Sequence, residues 1–240
     1  MKFRSVNKDN AFSKLCAVIA TICAFAGIAG AQTYNNIQNM QPWDTCSACA
    51  SIGGTGPATP HSVAYNVSSP SMDGSSTQFT NAGTVPYSDA IWWRQLGGNP
   101  GVSNFVYDLY FYVNNPGAAQ ALEFDVNQST GGRKYIFGTQ CGVAWNRQWS
   151  VWGNGHWNPT GIGCSVNASA WNHLTLEFSR ANGGVNFVSV TLNGQKSYIN
   201  RSYAPIGSGV QEINVAFQMD QTGSHTPFSV WLDRVSLNAW

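Results

Sequence analysis

Apolar and polar residues alternate along much of this chain in short runs, the period-two pattern of strands with one buried face. In residues 121–126 the alternation is clean: Leu122, Phe124 and Val126 fall on one face, Glu123 and Asp125 on the other. Residues 105–113 are dense in aromatic and β-branched residues and end at a turn, Asn114-Asn115-Pro116-Gly117. Leu174, Leu176 and Phe178 mark another strand. Val188, Val190 and Leu192 mark the next, which runs into Asn193-Gly194, the strongest hairpin signal in the chain. Ile213, Val215, Phe217 and Met219 repeat the pattern, as do Phe228, Val230 and Leu232, then Val235 and Leu237. No window of helical length carries an apolar stripe with caps. The pattern predicts an all-β protein, an antiparallel two-sheet sandwich of roughly ten or more strands.

Length and composition set the organisation. The first 31 of 240 residues read as an export signal: Lys2, Arg4, Lys8 and Lys14, an apolar run over residues 15–28, and Ala29-Gly30-Ala31 as a cleavage site. Residues 32–60 read as an extended leader and residues 61–240 as one β-sandwich domain. The mature chain keeps 8 Lys and Arg against 10 Asp and Glu, so no cationic footprint for nucleic acid exists. No second apolar stretch reaches the roughly 18 residues that span a bilayer. The expected location is secreted, cell-surface or periplasmic. Solvation must come from neutral polar groups, and Asn and Ser supply 21 and 22 residues of the mature chain.

Four cysteines remain after the signal: Cys46, Cys49, Cys141 and Cys164. An even count in an exported chain argues for two disulfides out of three pairings, and the local pairs Cys46 with Cys49 and Cys141 with Cys164 are favoured. A redox Cys-x-x-Cys lacks the strand-turn-helix context that would activate a thiol, and a zinc site lacks closely spaced ligands.

The order of Leu122-Glu123-Phe124-Asp125-Val126, then Trp171-Asn172-His173-Leu174-Thr175-Leu176, the Asn193-Gly194 hairpin and Val230-Trp231-Leu232-Asp233-Arg234-Val235 resembles the concanavalin A-like lectin/glucanase superfamily. The resemblance implies a jelly-roll sandwich and carbohydrate recognition on or beside its concave sheet. In laminarinase-type members the matching motif is Glu-x-Asp-x-Glu or Glu-x-Asp-x-x-Glu, which would make Glu123 the nucleophile and Asp125 its electrostatic partner. Asn127 and Gln128 stand where the acid/base Glu belongs, and an amide cannot exchange protons in that role. In legume-type lectins the same Glu-Phe-Asp holds a transition metal and reaches calcium. Here Cys164 stands where a further Asp is wanted, so Ca²⁺ is the one cofactor left open. The alternative for Glu123 and Asp125 is a solvated strand face, or pairing with Arg133, Lys134 or Arg147.

Four tryptophans lie between Cys141 and Cys164: Trp145, Trp149, Trp152 and Trp157. Their spacing, broken by Gly153, Gly155 and Pro159, reads as a disulfide-bounded loop. Its rings could stack on sugar faces while amides such as Asn146 bond hydroxyls, with part of the set expected to pack the core. Trp92 and Trp93 are adjacent, so one faces the core and one faces out. Trp231 points away from Val230 and Leu232 and is a second-line candidate for the binding face.

Three functions fit these residues. The leading one is a non-catalytic, exported carbohydrate-binding protein, lectin-like, whose partner is a polysaccharide or glycan. The second is a glycoside hydrolase or polysaccharide lyase with Glu123 as catalytic carboxylate and a partner such as Asp108, Glu177 or Asp233. The third is a structural or adhesive surface protein.

Overall fold

The computed structural model describes residues 30–49 and 56–240, so nearly all of the expected signal segment lies outside the described residues. The leader supplies β1 (Gln32–Tyr34) and β2 (Asp44–Cys46). Next come β3 (His61–Val67), β4 (Ser76–Asn81), β5 (Asp89–Gly97), β6 (Asn104–Val113) and β7 (Ala119–Thr130). The middle of the chain forms β8 (Arg133–Phe137), β9 (Thr139–Cys141), β10 (Gln148–Gly153) and β11 (His156–Gly163). The last third forms β12 (Trp171–Ser179), β13 (Val185–Leu192), β14 (Gln195–Tyr203), β15 (Ile206–Gly207), β16 (Glu212–Gln221) and β17 (Phe228–Ala239). Among the described residues the helices are two single 3₁₀ turns, and none is long and apolar enough to cross a membrane.

The strands form two antiparallel sheets. The first runs β14-β13-β12-β6-β17-β4-β3 with β1 on β17; the second runs β11-β10-β9-β7-β16-β5-β2, with β8 joining β7 to β15. The leader therefore adds one strand to each sheet. The inward rows are those the alternation predicts: Leu122, Phe124 and Val126 on β7, Ile213, Val215, Phe217 and Met219 on β16, and Leu174, Leu176 and Phe178 on β12 are all buried. Phe124 sits between Phe111 and Phe217 at ring-centroid distances of 5.1 and 5.4 Å, at the seam between the sheets. Truncating such a ring costs about 3–5 kcal/mol. Asn193-Gly194 closes the β13–β14 hairpin with both residues at positive φ.

Both favoured disulfides are present, Cys46–Cys49 and Cys141–Cys164. The segment between Cys141 and Cys164 is not a loop, however. Its greater part is the β10–β11 hairpin, turned at Asn154-Gly155 with both residues at positive φ. Glycine and proline there are hairpin features rather than breakers: Gly155 serves the turn, and Pro159 lies on the edge strand, where a missing N–H costs least. Gly153 is needed because a Cβ there would lie 2.3 Å from the Tyr203 ring.

Candidate carboxylate and tryptophan site

On the second sheet, side chains opposite the core rows share one outer face, and register sets which of them meet. Glu123 on β7 lies opposite Gln218 on β16 and Gln140 on β9. Two residues along, Asp125 lies opposite Ala216, which lies opposite Trp93 on β5. Asn127 and Asn214 face each other in the next row and are bonded, amide to carbonyl, at 3.0 Å.

The centre of this face is a carboxyl-amide cluster. The Gln218 amide donates to Glu123 Oε1 and Asp220 Oδ1, each at 2.9 Å. The Gln140 amide donates to the same Glu123 oxygen at 3.2 Å and to Asp220 Oδ2 at 3.3 Å. Asp125 Oδ1 accepts the backbone N–H of Thr139 at 3.0 Å. Glu123 is only 4% exposed, and burial together with the nearby charges of Asp220, Asp125 and Asp89 lifts its carboxyl well above the usual range. Burial likewise pushes Asp220 and Asp125 up to about 7, despite the amide bonds on the first and the Thr139 N–H and Lys134 charge on the second. Strongly shifted acids gathered on one face mark a functional-site candidate.

The expected solvated face, or pairing with Arg133, Lys134 or Arg147, is therefore corrected. The ion pairs among the described residues are Asp108 with His173 and Glu177 with Lys196. The second carboxylate is corrected too. Asp108 and Glu177 belong to those pairs on the first sheet, and Asp233 is fully buried there, fixed by Ser71 Oγ at 2.9 Å and the Met72 N–H at 2.7 Å. The residue beside Glu123 is Asp220. Its signal lay in the sequence, because Gln218-x-Asp220 opposes Phe217 and Met219 with the spacing that singled out Glu123-x-Asp125.

Tryptophans border the cluster on both sides. Trp93 is half-buried on β5, while Trp92 is in the core, as adjacency required. On the other side Trp152 and Trp157 oppose each other across the β10–β11 hairpin, edge to face at 5.3 Å. Gly138 holds the gap between them and the acids: a Cβ there would lie 2.9 Å from Trp152 Cβ and 3.6 Å from Asp125 Oδ1. From Trp93 to Trp152 is four inter-strand steps, roughly 19 Å at the usual strand spacing. Beyond Trp152 an open cleft of about 200 Å³ continues past Ile136, Lys134 and Tyr203.

The other proposed ligand residues lie elsewhere. Trp149 is 1% exposed, in the core opposite Cys141, and offers no ring face. Trp145 is 57% exposed on the turn before β10, where Asn146 Oδ1 accepts the Gln148 N–H at 3.2 Å. Trp231 stands on the first sheet, edge to face with Tyr112 at 5.6 Å, across the sandwich from Glu123. For the Ca²⁺ left open above, no group of three or more His, Cys, Asp or Glu among the described residues is arranged to hold a metal ion.

No protein-family model matches the chain, and a search of curated proteins finds no match. Solved structures do. An endo-β-1,4-glucuronan lyase from the fungus Trichoderma reesei superposes with a TM-score of 0.53 at 13% identity, covering 86% of this chain and 95% of the lyase. A carbohydrate esterase from the Shiga toxin-encoding bacteriophage phi24B gives 0.51 at 15% identity, over 88% of this chain and 99% of its own. Cellulose-induced protein Cip1 gives 0.51 at 10%, over 81% and 90%. The fold is the concanavalin A-like jelly roll. At these identities the likeness concerns the jelly roll alone. What this one does rests on its own residues.

Proposed function

We propose that the outer face of the second sheet binds a polysaccharide, and that the protein is an exported, non-catalytic carbohydrate-binding jelly roll. The observation that carries this reading is the polar band of carboxyls and amides bordered on both sides by tryptophans of the same face. Sugar rings present C–H faces that stack on indoles, and their hydroxyls need donors and acceptors at fixed places between the stacking points. The two disulfides suit an extracellular setting. The lyase, the esterase and the cellulose-induced protein that share the fold carry names from carbohydrate chemistry, which agrees with this reading.

Binding is preferred to cleavage on geometry. A retaining glycosidase holds its carboxyls about 5–5.5 Å apart and an inverting one about 6.5–9.5 Å. Glu123 and Asp220 instead share the side-chain amides of Gln140 and Gln218, which brace both carboxyls in one fixed arrangement. Following tryptophan fluorescence during titration with soluble β-glucans and with plant and microbial polysaccharides tests the proposal; silence toward every glycan overturns it.

A second reading has one observation in its favour, the presence of Asp220 beside Glu123. In that reading the two act as acid and base on a bound glycan. New reducing ends or unsaturated uronates formed by the wild type and abolished in Glu123→Gln would support it. Equal turnover in both would remove Glu123 from any such role.

A further inference from the structure

We infer that the carboxyl-amide cluster selects an amino-sugar glycan, seating a ring ammonium against Glu123, Asp125 and Asp220, in preference to neutral or uronic-acid polymers. The inference rests on the glycan-binding reading and adds the charge class of the ligand. Two independent observations carry it.

The first is that acceptors are in excess. Glu123 and Asp220 share two glutamine amides, Asp125 follows two residues along β7, Asp89 lies opposite Asp220 in register, and the described ion pairs supply no cation to Glu123, Asp125 or Asp220. Lys134 acts on Asp125 only through its field, from the cleft end of the site. The second is that the two glutamines each leave an acceptor unused. Gln140 is 6% exposed and Gln218 is 3% exposed, and both spend their N–H groups on the carboxyls. Their Oε1 atoms are buried without a hydrogen-bond partner. A buried acceptor left unmet costs about 1–3 kcal/mol, so the site gains from any group that brings donors.

An ammonium brings three donors and a positive charge. A 2-amino sugar carries that group on a ring whose faces can stack on Trp93 or on Trp152, the borders of the same cluster. Asp220 is its least buried member and forms the entry. A uronic-acid polymer brings more acceptors and negative charge to a face already crowded with both, which costs like-charge repulsion. An N-acetylated sugar replaces the charged donors by a single amide N–H.

The test uses the full mature chain near pH 7.5, above the values of about 7 reached by Asp125 and Asp220 and where an amine of roughly α-amino basicity is still largely charged. Calorimetric titration compares a glucosamine tetramer, its N-acetylated counterpart, cellotetraose and an oligoglucuronate. The expected result is binding of the glucosamine tetramer at least about tenfold tighter than its acetylated form, about 1.4 kcal/mol. That preference should weaken as salt rises. It should vanish in both Glu123→Gln and Asp220→Asn, while melting curves show both variants folded. Equal affinity for amine and acetamide, a preference for the glucuronate, or binding that requires added Ca²⁺ overturns the inference. If cellotetraose binds and the amine brings no gain, the amino-sugar inference alone falls; if none of the four binds, the glycan-binding reading falls with it.

Discussion

The two sheets of the sandwich both carry carboxylates on the side away from the shared core and treat them in opposite ways. On the first sheet each acid has its own partner: Asp108 has His173 at 2.9 Å, Glu177 has Lys196 at 2.8 Å, and Asp233 accepts three short bonds from Ser71, Met72 and Arg234. The Lys196 ammonium beside Glu177 holds that carboxyl below its usual range. On the second sheet Glu123 and Asp220 share the donors of Gln140 and Gln218, and burial drives them and Asp125 upward. Alternation places a carboxylate on a face; the cross-strand neighbour decides whether it is settled or stressed. Shifted acids between tryptophans mark the second sheet's face as the candidate site, while the acids of the first sheet are settled by their own partners.

The largest expected effect concerns how each sheet holds its edge hairpin. The β10–β11 hairpin is tied by Cys141–Cys164, with 23 residues of separation. Replacing both cysteines by alanine should cost about 3 kcal/mol, read as a melting temperature lower by about 10 °C. The β13–β14 hairpin depends on its turn, so Gly194→Ala, at φ +81, should cost about 1 kcal/mol in the same measurement. Equal losses would erase this contrast between the sheets.

Next in size is the pH dependence. Acids raised in the folded state bind more protons there than in the unfolded chain, so unfolding free energy falls as pH rises from about 4 through the values of about 7 reached by Asp125 and Asp220. Melting scans across pH 4–8 should show stability declining toward neutrality, and Glu123→Gln should flatten that decline and melt higher than wild type at pH 8. A wild type that grows more stable over this range would contradict the stressed-acid account. The smallest effect belongs to the first sheet: Lys196→Met and His173→Gln should each change stability by less than about 1 kcal/mol, because exposed ion pairs contribute little.

The sandwich, the inward rows, the Asn193-Gly194 turn and the placing of Trp92 against Trp93 were legible because local alternation and turn chemistry set them. The Glu123 and Asp125 face was legible for the same reason. Asp220 was not singled out, since β16 reads as a core strand and only sheet register brings its polar side to Glu123, far away in sequence. Trp149 and Trp152 could have been separated by parity once residues 148–153 were read as a strand. The many glycines there suggested a loop, yet Gly153 and Gly138 are small because Tyr203 and the Trp152-to-Asp125 gap require it.

The central claim is that the glycan meets the second sheet and not the first. Titrating wild type, Trp152→Ala and Trp231→Ala with one soluble polysaccharide tests it most directly, with fluorescence as the signal. The account predicts at least about tenfold weaker binding for Trp152→Ala and affinity within about twofold of wild type for Trp231→Ala. Loss of binding in Trp231→Ala with Trp152→Ala unchanged would place the ligand on the first sheet and contradict it.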